Sequence, residues 1–316
     1  MHLYKAPFPI LQVLFFTIVM CASCKEEPGP TLIEMKQVEG YPSGSGIEYF
    51  NKQVFVVGDD AGWLLIMDST LQRKDSLRIF QTEEHRIPKE IKADLESIMV
   101  ERANGKMVML IPGSGSTEQR NSMLLIDPVQ KTKSEIRLDT FYQRLRAEGL
   151  KDLNIEGSCS LPGNVLLASR GNKGFPRNYL VFTSKRFWEK QDIVPIKLLK
   201  IGIQADSSSF SGISGLDYSA STDQLFITVS TENTSNSYED GSIGKSYLWI
   251  INDISSRRRL DAINPDRIID LEEIDSRFKG HKIESVCILS SDRKNQEILL
   301  VSDDDKGGTV LFRMKM

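Results

Sequence analysis

Residues 45–68 read SGIEYFNKQVFVVGDDAGWLLIMD: a small pair, an aliphatic residue and a carboxylate, then two apolar runs on either side of Gly58-Asp59-Asp60-Ala61-Gly62. The same order returns in DLESIMVERANGKMVMLIPGSGSTEQRNSMLLID from Asp94 and NIEGSCSLPGNVLLASRGNKGFPRNYLVFTS from Asn154. It returns again in SGLDYSASTDQLFITVSTENTSNSYEDGSIGKSYLWIIND from Ser214 and KIESVCILSSDRKNQEILLVSDDDKGGTVLFRMKM from Lys282. Self-similarity at a fixed period marks a repeat architecture, in which each copy buries its apolar surface against its neighbours. Aligned on their acids, the copies carry Glu48, Glu96, Glu156, Asp217 and Glu284.

Each copy holds three strand-like runs bounded by Gly, Asn, Asp or Pro, and the Asn104-Gly105 pair signals a tight hairpin. A fourth run follows in the gaps: SLRIF from Ser76, SEIRL from Ser134, VPIKLLKIGI from Val194 and RIIDL from Arg267. Four antiparallel strands recurring about every sixty residues predict an all-β fold, a β-propeller of five blades, with the long connections leaving room for a sixth. The last copy ends at Met316 after three strands, while TLIEMKQVE at 31–39 precedes the first copy without a partner. That segment is expected to complete the last blade and close the ring, removing the sheet edges an open repeat would expose. Two connections have helical spacing: TFYQRLRAEGLK at 140–151 and EEIDSRFKGH at 272–281.

In such a ring the inner strand of every blade starts at the end where the second strand finishes. The five acids and the loops between second and third strands are therefore expected to share one face. Carboxylates gathered at one channel mouth raise one another's pKa or attract a cation. A hard divalent ion suits oxygen ligands, and calcium tolerates irregular geometry better than magnesium does. Glu96, Glu156, Glu284, Asp59 and Asp303 are the metal candidates. With His85 and His281 as the histidines beyond residue 24, zinc is not expected. A once-per-blade acid has a structural use as well: it can accept hydrogen bonds from the next blade's backbone and lock blade to blade.

Loops on this face differ between copies. The first offers Asp59 and Asp60 and the last Asp303, Asp304 and Asp305; the second offers Arg120 and Asn121, the third Arg170, Asn172, Lys173 and Arg177, and the fourth Glu232, Asn233 and Lys245. One half of the mouth is thus expected to be acidic and to hold a metal. The other, with Arg120, Arg170, Lys173, Arg177 and Lys245, is expected to hold a phosphate or carboxylate. Cys159 and Cys287 each stand three residues after a repeat acid, which predicts one shared packing position and buried thiols. Three tempting motifs fail. GSIGKS at 241–246 follows Glu239 where a phosphate loop needs glycine, Gly212-Ile213-Ser214-Gly215 lacks the spacing of a nucleophile elbow, and Asp303-Asp304-Asp305-Lys306-Gly307 lacks the alternating acids of an EF-hand.

At the other end, Lys5 precedes an apolar run at 10–20 and small residues follow, the layout of a secretory signal whose core is too short to span a bilayer. Cys21-Ala22-Ser23-Cys24 resembles the bacterial lipobox, with Cys21 where leucine is usual. The resemblance implies cleavage before Cys24 and acylation of its thiol and amine. Lys25-Glu26-Glu27 is similar to the surface-export signal of some Bacteroidetes lipoproteins. The chain then divides into a signal at 1–24, a tether at 25–30 and a propeller at 31–316. An outer-membrane lipoprotein is expected, periplasmic or surface-exposed, monomeric and in contact with the membrane through its lipid. Losing residues 1–24 removes Lys5 and no acid, leaving 39 basic and 43 acidic side chains and no basic excess to bind nucleic acid.

The aliphatic-Glu-Gly/Ser pattern of Leu95-Glu96-Ser97, Ile155-Glu156-Gly157 and Ile283-Glu284-Ser285 resembles that of the phytase-like and SdiA-regulated-like propeller families. The likeness covers most of residues 31–316 at the level of architecture, and Glu48-Tyr49 and Asp217-Tyr218 depart from it. It implies mouth acids that hold calcium and, in some such propellers, hydrolysis of phosphoesters or lactones. The function expected is a lipid-anchored binding module presenting its acidic face to a small ligand, a glycan or an envelope protein. The alternative is a calcium-dependent hydrolase in which Glu96, Glu156 and Glu284 ligate the ion and Arg170, Lys173 or Arg177 stabilises an anionic substrate. A glycosidase using two mouth carboxylates is a third reading.

Overall fold

The computed structural model describes residues 29–202, 210–232, 243–292, 295–303 and 307–316. Strand β1 (Thr31–Val38) comes first. Blade one is β2 (Gly44–Phe50), β3 (Gln53–Gly58), β4 (Trp63–Asp68) and β5 (Arg73–Arg78); blade two is β6 (Met99–Ala103), β7 (Lys106–Pro112), β8 (Ser122–Asp127) and β9 (Thr132–Arg137). Blade three is β10 (Ile155–Leu161), β11 (Asn164–Ser169), β12 (Asn178–Ser184) and β13 (Ile196–Ile201); blade four begins with β14 (Ser211–Ser219), β15 (Gln224–Glu232) and β16 (Ile243–Ile251). A short β17 (Ala262–Ile263) returns to pair with β13 before β18 (Arg267–Asp270) completes blade four. Blade five is β19 (Lys282–Ser291), β20 (Gln296–Asp303) and β21 (Thr309–Lys315), and its fourth strand is β1, running antiparallel from Thr31 opposite Lys315 to Val38 opposite Thr309.

Burial follows place in the blade. In β3 every residue from Val54 to Gly58 is buried, and in β11 every residue from Val165 to Ser169, because a second strand is covered by blades on both sides. Such strands read as unbroken apolar runs. The outer strands RKDSLR of β5 and TKSEIR of β9 face water along most of their length. Five apolar clusters fill the described residues, one at each blade-to-blade seam; the last joins Val54, Val56 and Leu65 of blade one to Leu299, Val301 and Leu311 of blade five.

Helix α1 (Asp139–Ala147) buries Phe141, Tyr142 and Leu145 over the seam between blades two and three, and the Tyr142 hydroxyl donates to Gly113 O at 2.6 Å. After α2 (Ile254–Arg257), the second expected helix is reduced to one turn, α3 (Leu271–Ile274). Asp275 ends it in extended backbone, φ −156°, and its carboxylate caps the N–H of Arg277. The outer strand of blade one also begins earlier than SLRIF suggests. The N–H groups of Ile79 and Phe80 both donate to Gly62 O, at 2.9 and 3.0 Å, which turns the chain out of the sheet and across the end of the blade.

Candidate functional site

Antiparallel pairing fixes equivalence between blades. In blades one, three, four and five the inner strand carries one extra residue at the same step, between Gly44 and Gly46, Ile155 and Gly157, Ile213 and Gly215, and Ile283 and Ser285. In blade two, Leu95 pairs with Gly113 and Met99 with Leu110, so one extra residue falls in the same interval. The equivalent residues are Ser45, Glu96, Glu156, Ser214 and Glu284. This corrects the ring of five equivalent acids: blades one and four present serine, and Glu48 and Asp217 stand three residues along, level with Met99, Cys159 and Cys287.

Alignment on the acids fails because the constant feature is the small residue after the bulge: Gly46, Ser97, Gly157, Gly215 and Ser285. Inner strands meet backbone to backbone there. A Cβ added to Gly46 would lie 3.0 Å from Ser97 Cα, and one on Gly215 would lie 2.6 Å from both Glu284 O and Ser285 Cα. Gly215→Ala is expected to cost about 1–3 kcal/mol through overpacking. A urea midpoint unchanged from the parent protein would contradict this.

Glu48 and Asp217 bind backbone. Glu48 accepts from its own Tyr49 N–H at 2.9 Å and from Val100 N–H of blade two at 3.2 Å. Asp217 accepts from Tyr218 at 2.7 Å and from Ile288 of blade five at 2.9 Å. Each locks its blade to the next one in the chain. Burial, reinforced by Asp217, holds the Glu48 carboxyl well above the usual range. Burial pushes Asp217 up to about 6 against the two N–H donors. Cys159 and Cys287 share this level as buried free thiols, raised by burial and by the same two acids.

The mouth lies at the other end of the inner strands. Two residues before each bulge stand Ser43, Asp94, Asn154, Gly212 and Lys282, and opposite them, in or just past the last residues of the second strands, Asp59, Ser114, Arg170, Ser230 and Asp303. Lys92 bridges Asp59 and Asp94, at 3.0 Å from Asp94 Oδ1; Arg120 Nη1 lies 2.7 Å from Asp94 Oδ2, and Ser114 Oγ donates to that oxygen at 2.6 Å. Asn154 Nδ2 donates to Glu156 Oε1 at 2.6 Å, while Arg170 Nη1 lies 3.9 Å from Glu156 Oε2 and Lys282 Nζ 3.0 Å from Glu284 Oε1. Arg170 lies directly over blade four, where a Cβ on Gly212 would come within 2.5 Å of its Nε.

Asp59, Asp94 and Glu96 each present an oxygen within 4.8 Å of the other two. Asp59 Oδ1 is buried with no hydrogen-bond partner among the described residues. Burial, then the charges of Glu156, Asp94 and Asp59, hold the Glu96 carboxyl well above its usual range despite Lys92. Glu156 is pushed up to about 8 by burial; Arg170 and Lys282 pull it down, and Glu284 and Asp94 push it up. Burial also raises Asp59, with Lys92 the main opposing charge. Burial thus raises both glutamic acids inside a cluster of formal charges of both signs, Glu156 to about 8.

A model described as a family of unknown function, DUF6929, matches residues 40–316. The chain belongs to this family. Among solved structures the DUF6929 propeller is similar to a glutaminyl cyclase of Myxococcus xanthus, at 9% identity and TM-score 0.53 over 90% of this chain and 96% of that one. A structure from the GH130 family of mannoside phosphorylases, described with glycoside hydrolases that target β-1,2 mannosidic linkages in Candida mannan, matches at 9% identity and TM-score 0.50 over 86% and 84% of the two chains. An arabinanase of Bacillus subtilis matches at 12% identity and TM-score 0.49 over 88% and 95%. At these identities the likeness is one of fold. No curated protein matches the sequence.

The division of the DUF6929 mouth into an acidic and a basic half also needs correction. Arg120 and Arg170 are only 3% and 6% exposed and lie among the acids, Arg120 paired with Asp94 and Arg170 3.9 Å from Glu156. Lys245 reaches the outer strand instead, 2.6 Å from Asp270. Lys173 and Arg177 are half-buried in the loop after β11, and Asp303 pairs in register with Lys282. Cys24, Asn233, Asp304 and Asp305 lie outside the described residues. Sequence reasoning missed Lys92, Asp94, Asn154 and Lys282 as mouth residues. Three of them were within reach of a spacing rule, since Asp94-Leu95-Glu96, Asn154-Ile155-Glu156 and Lys282-Ile283-Glu284 put polar groups on one side of a strand.

Proposed function

We propose that this propeller is an envelope binding module that takes its ligand at the channel mouth around a divalent cation, calcium being the ion favoured, held by Asp59, Asp94 and Glu96. The convergence of those three carboxylates within 4.8 Å carries the reading. Each carboxylate oxygen has two lone pairs, so the bonds from Lys92, Arg120 and Ser114 leave Asp94 able to ligate. Partners of that kind orient the ligands of metal sites. An all-oxygen set with two nearby compensating cations suits calcium at the weak, roughly 10⁻⁴–10⁻³ M affinity of extracellular modules. Burial and the neighbouring acids raise the Glu96 carboxyl, so proton and cation compete there and binding is expected to strengthen as pH rises.

The test compares thermal unfolding of a form beginning at residue 25 in calcium chloride and in EDTA. At ten times Kd the ion contributes about 1.4 kcal/mol, a rise in Tm of roughly 3–5 °C. Asp59→Asn and Glu96→Gln are expected to abolish the rise. Identical melting curves in calcium and EDTA would sink the proposal.

The same reading places acylation at Cys24, checked by the mass of the N-terminal peptide from membranes. No helix among the described residues is long and apolar enough to cross a bilayer. One observation favours a hydrolase instead: Glu156 keeps its proton to about pH 8, as a general acid must, with Glu96 and Glu284 close enough to interact electrostatically. Turnover of aryl phosphate, lactone or aryl glycoside that Glu156→Gln removes would decide for that reading.

A further inference from the structure

On the mouth face, radially outside Asp59 and Asp60, Trp63, Arg78, Thr82, Glu83, Glu84 and His85 line a cleft of about 570 Å³. That volume lies within the range of small-molecule sites, roughly 300–1,000 Å³. The indole of Trp63 has a fixed seat. Tyr41 meets it edge-on at 5.8 Å between centroids, and the Tyr41 hydroxyl, within hydrogen-bonding distance of Val56 O and Trp63 O, is itself fully buried. The opposite wall is the chain that Gly62 O turns out of the sheet. Arg78 Nη1 donates to Thr82 O at 2.8 Å, the N–H of Glu84 donates to Thr82 Oγ1 at 3.0 Å, and beyond them Arg86 Nε and the N–H of Ile87 bond Asp60 at 2.6 and 2.8 Å. The His85 ring stands 5.9 Å from the indole at 51°. These ties hold both walls in place before any ligand arrives.

We infer that this cleft binds a neutral, hydroxyl-rich ring, a pyranose or furanose unit of a glycan chain. A simple anion entering it would face Glu83 and Glu84, and an organic cation would face Arg78. A hydroxyl is donor and acceptor at once, so it pairs with guanidinium and carboxylate alike, while the C–H face of the sugar lies on the indole. Asp60 links the cleft to the acid cluster, through Arg86 on one side and its neighbour Asp59 on the other. The cleft makes no use of the proposed cation, so loss of the calcium response would leave it standing.

Trp63 gives the readout. It is the half-exposed member of three tryptophans, since Trp188 and Trp249 are 5% and 7% exposed. Intrinsic fluorescence and calorimetry would be followed during titration with neutral gluco-, manno-, xylo- and arabino-oligosaccharides, in EDTA, and with choline chloride and citrate as charged controls. Saturable binding of at least one oligosaccharide is expected, weakened about tenfold by Arg78→Ala or His85→Ala, the worth of one stacking or charge-assisted contact. Both positions are exposed, so Tm is expected to hold. Trp63→Ala is expected to remove the signal, but it also takes packing from Tyr41, and Arg78→Ala also removes the tie to Thr82 O, so His85→Ala decides. Binding by none of the sugars, undiminished binding by His85→Ala, or displacement by choline or citrate would overturn the assignment.

Discussion

Asp94→Asn is expected to destabilise the propeller by about 3–5 kcal/mol, the cost of breaking a buried ion pair from one side. Asp94 is 5% exposed and serves Arg120, itself 3% exposed, together with Lys92 and Ser114. Asparagine keeps the shape, and it tolerates the left-handed backbone at this position, φ 56°, so charge is the main change. Arg120 would lose the Asp94 carboxylate from its Nη1 and keep Ser116 Oγ at 2.7 Å and Lys89 O at 3.4 Å. A fall in Tm of roughly 6–15 °C follows. The control is a double-mutant cycle with Arg120→Met, in which the pair together is expected to cost less than the sum of the singles. A loss below about 1 kcal/mol would mean that the cluster does not depend on this carboxylate.

Glu156→Gln is expected to act in the opposite direction and to depend on pH. The Glu156 carboxyl moves from 4.5 to about 8 on folding, so between those values the native state holds a proton that the unfolded chain has released. Stability from this group is therefore complete below about pH 4.5 and is lost as pH rises through 8. Asp217, raised from 3.8 to about 6, contributes a parallel loss that is complete at lower pH. A shift of this size corresponds to a few kcal/mol, roughly 3–5, at pH 9. Glutamine retains an acceptor for Asn154 Nδ2 and has no charge to bury. The variant is expected to melt several degrees above the parent at pH 9 and within about 2 °C of it at pH 4. Equal melting temperatures of parent and variant at both pH values would show that Glu156 is ionised without penalty.

The blades were legible because a strand covered on both faces must be apolar throughout, and VFVVG and VLLAS announce that directly. The joining of the ends was legible by counting, since the fifth copy had three strands and TLIEMKQV had no partner. The bulge was not. A carboxylate two residues after a glycine and one directly before it look alike in a string, and only the ladder shows that Ser45 stands level with Glu156 while Glu48 stands level with Cys159. The partners of the acids were hidden for another reason. Lys92 and Arg86 belong to a connection whose path depends on Gly62 O and Asp60, groups about twenty to thirty residues away that no local pattern can read.

The strand that β1 lends to blade five also gives the wheel a direction. β21 runs from the channel mouth at Thr309 to the far side at Lys315, and Thr31 lies opposite Lys315, so the chain leading into the domain enters from the side away from the acids. Residues 25–30 reach about 20 Å when fully stretched, and the seven residues of β21 climb about 23 Å. A lipid at Cys24 would then moor the far side against the bilayer like the foot of a goblet, keeping the open bowl and its acids pointed into the compartment beyond.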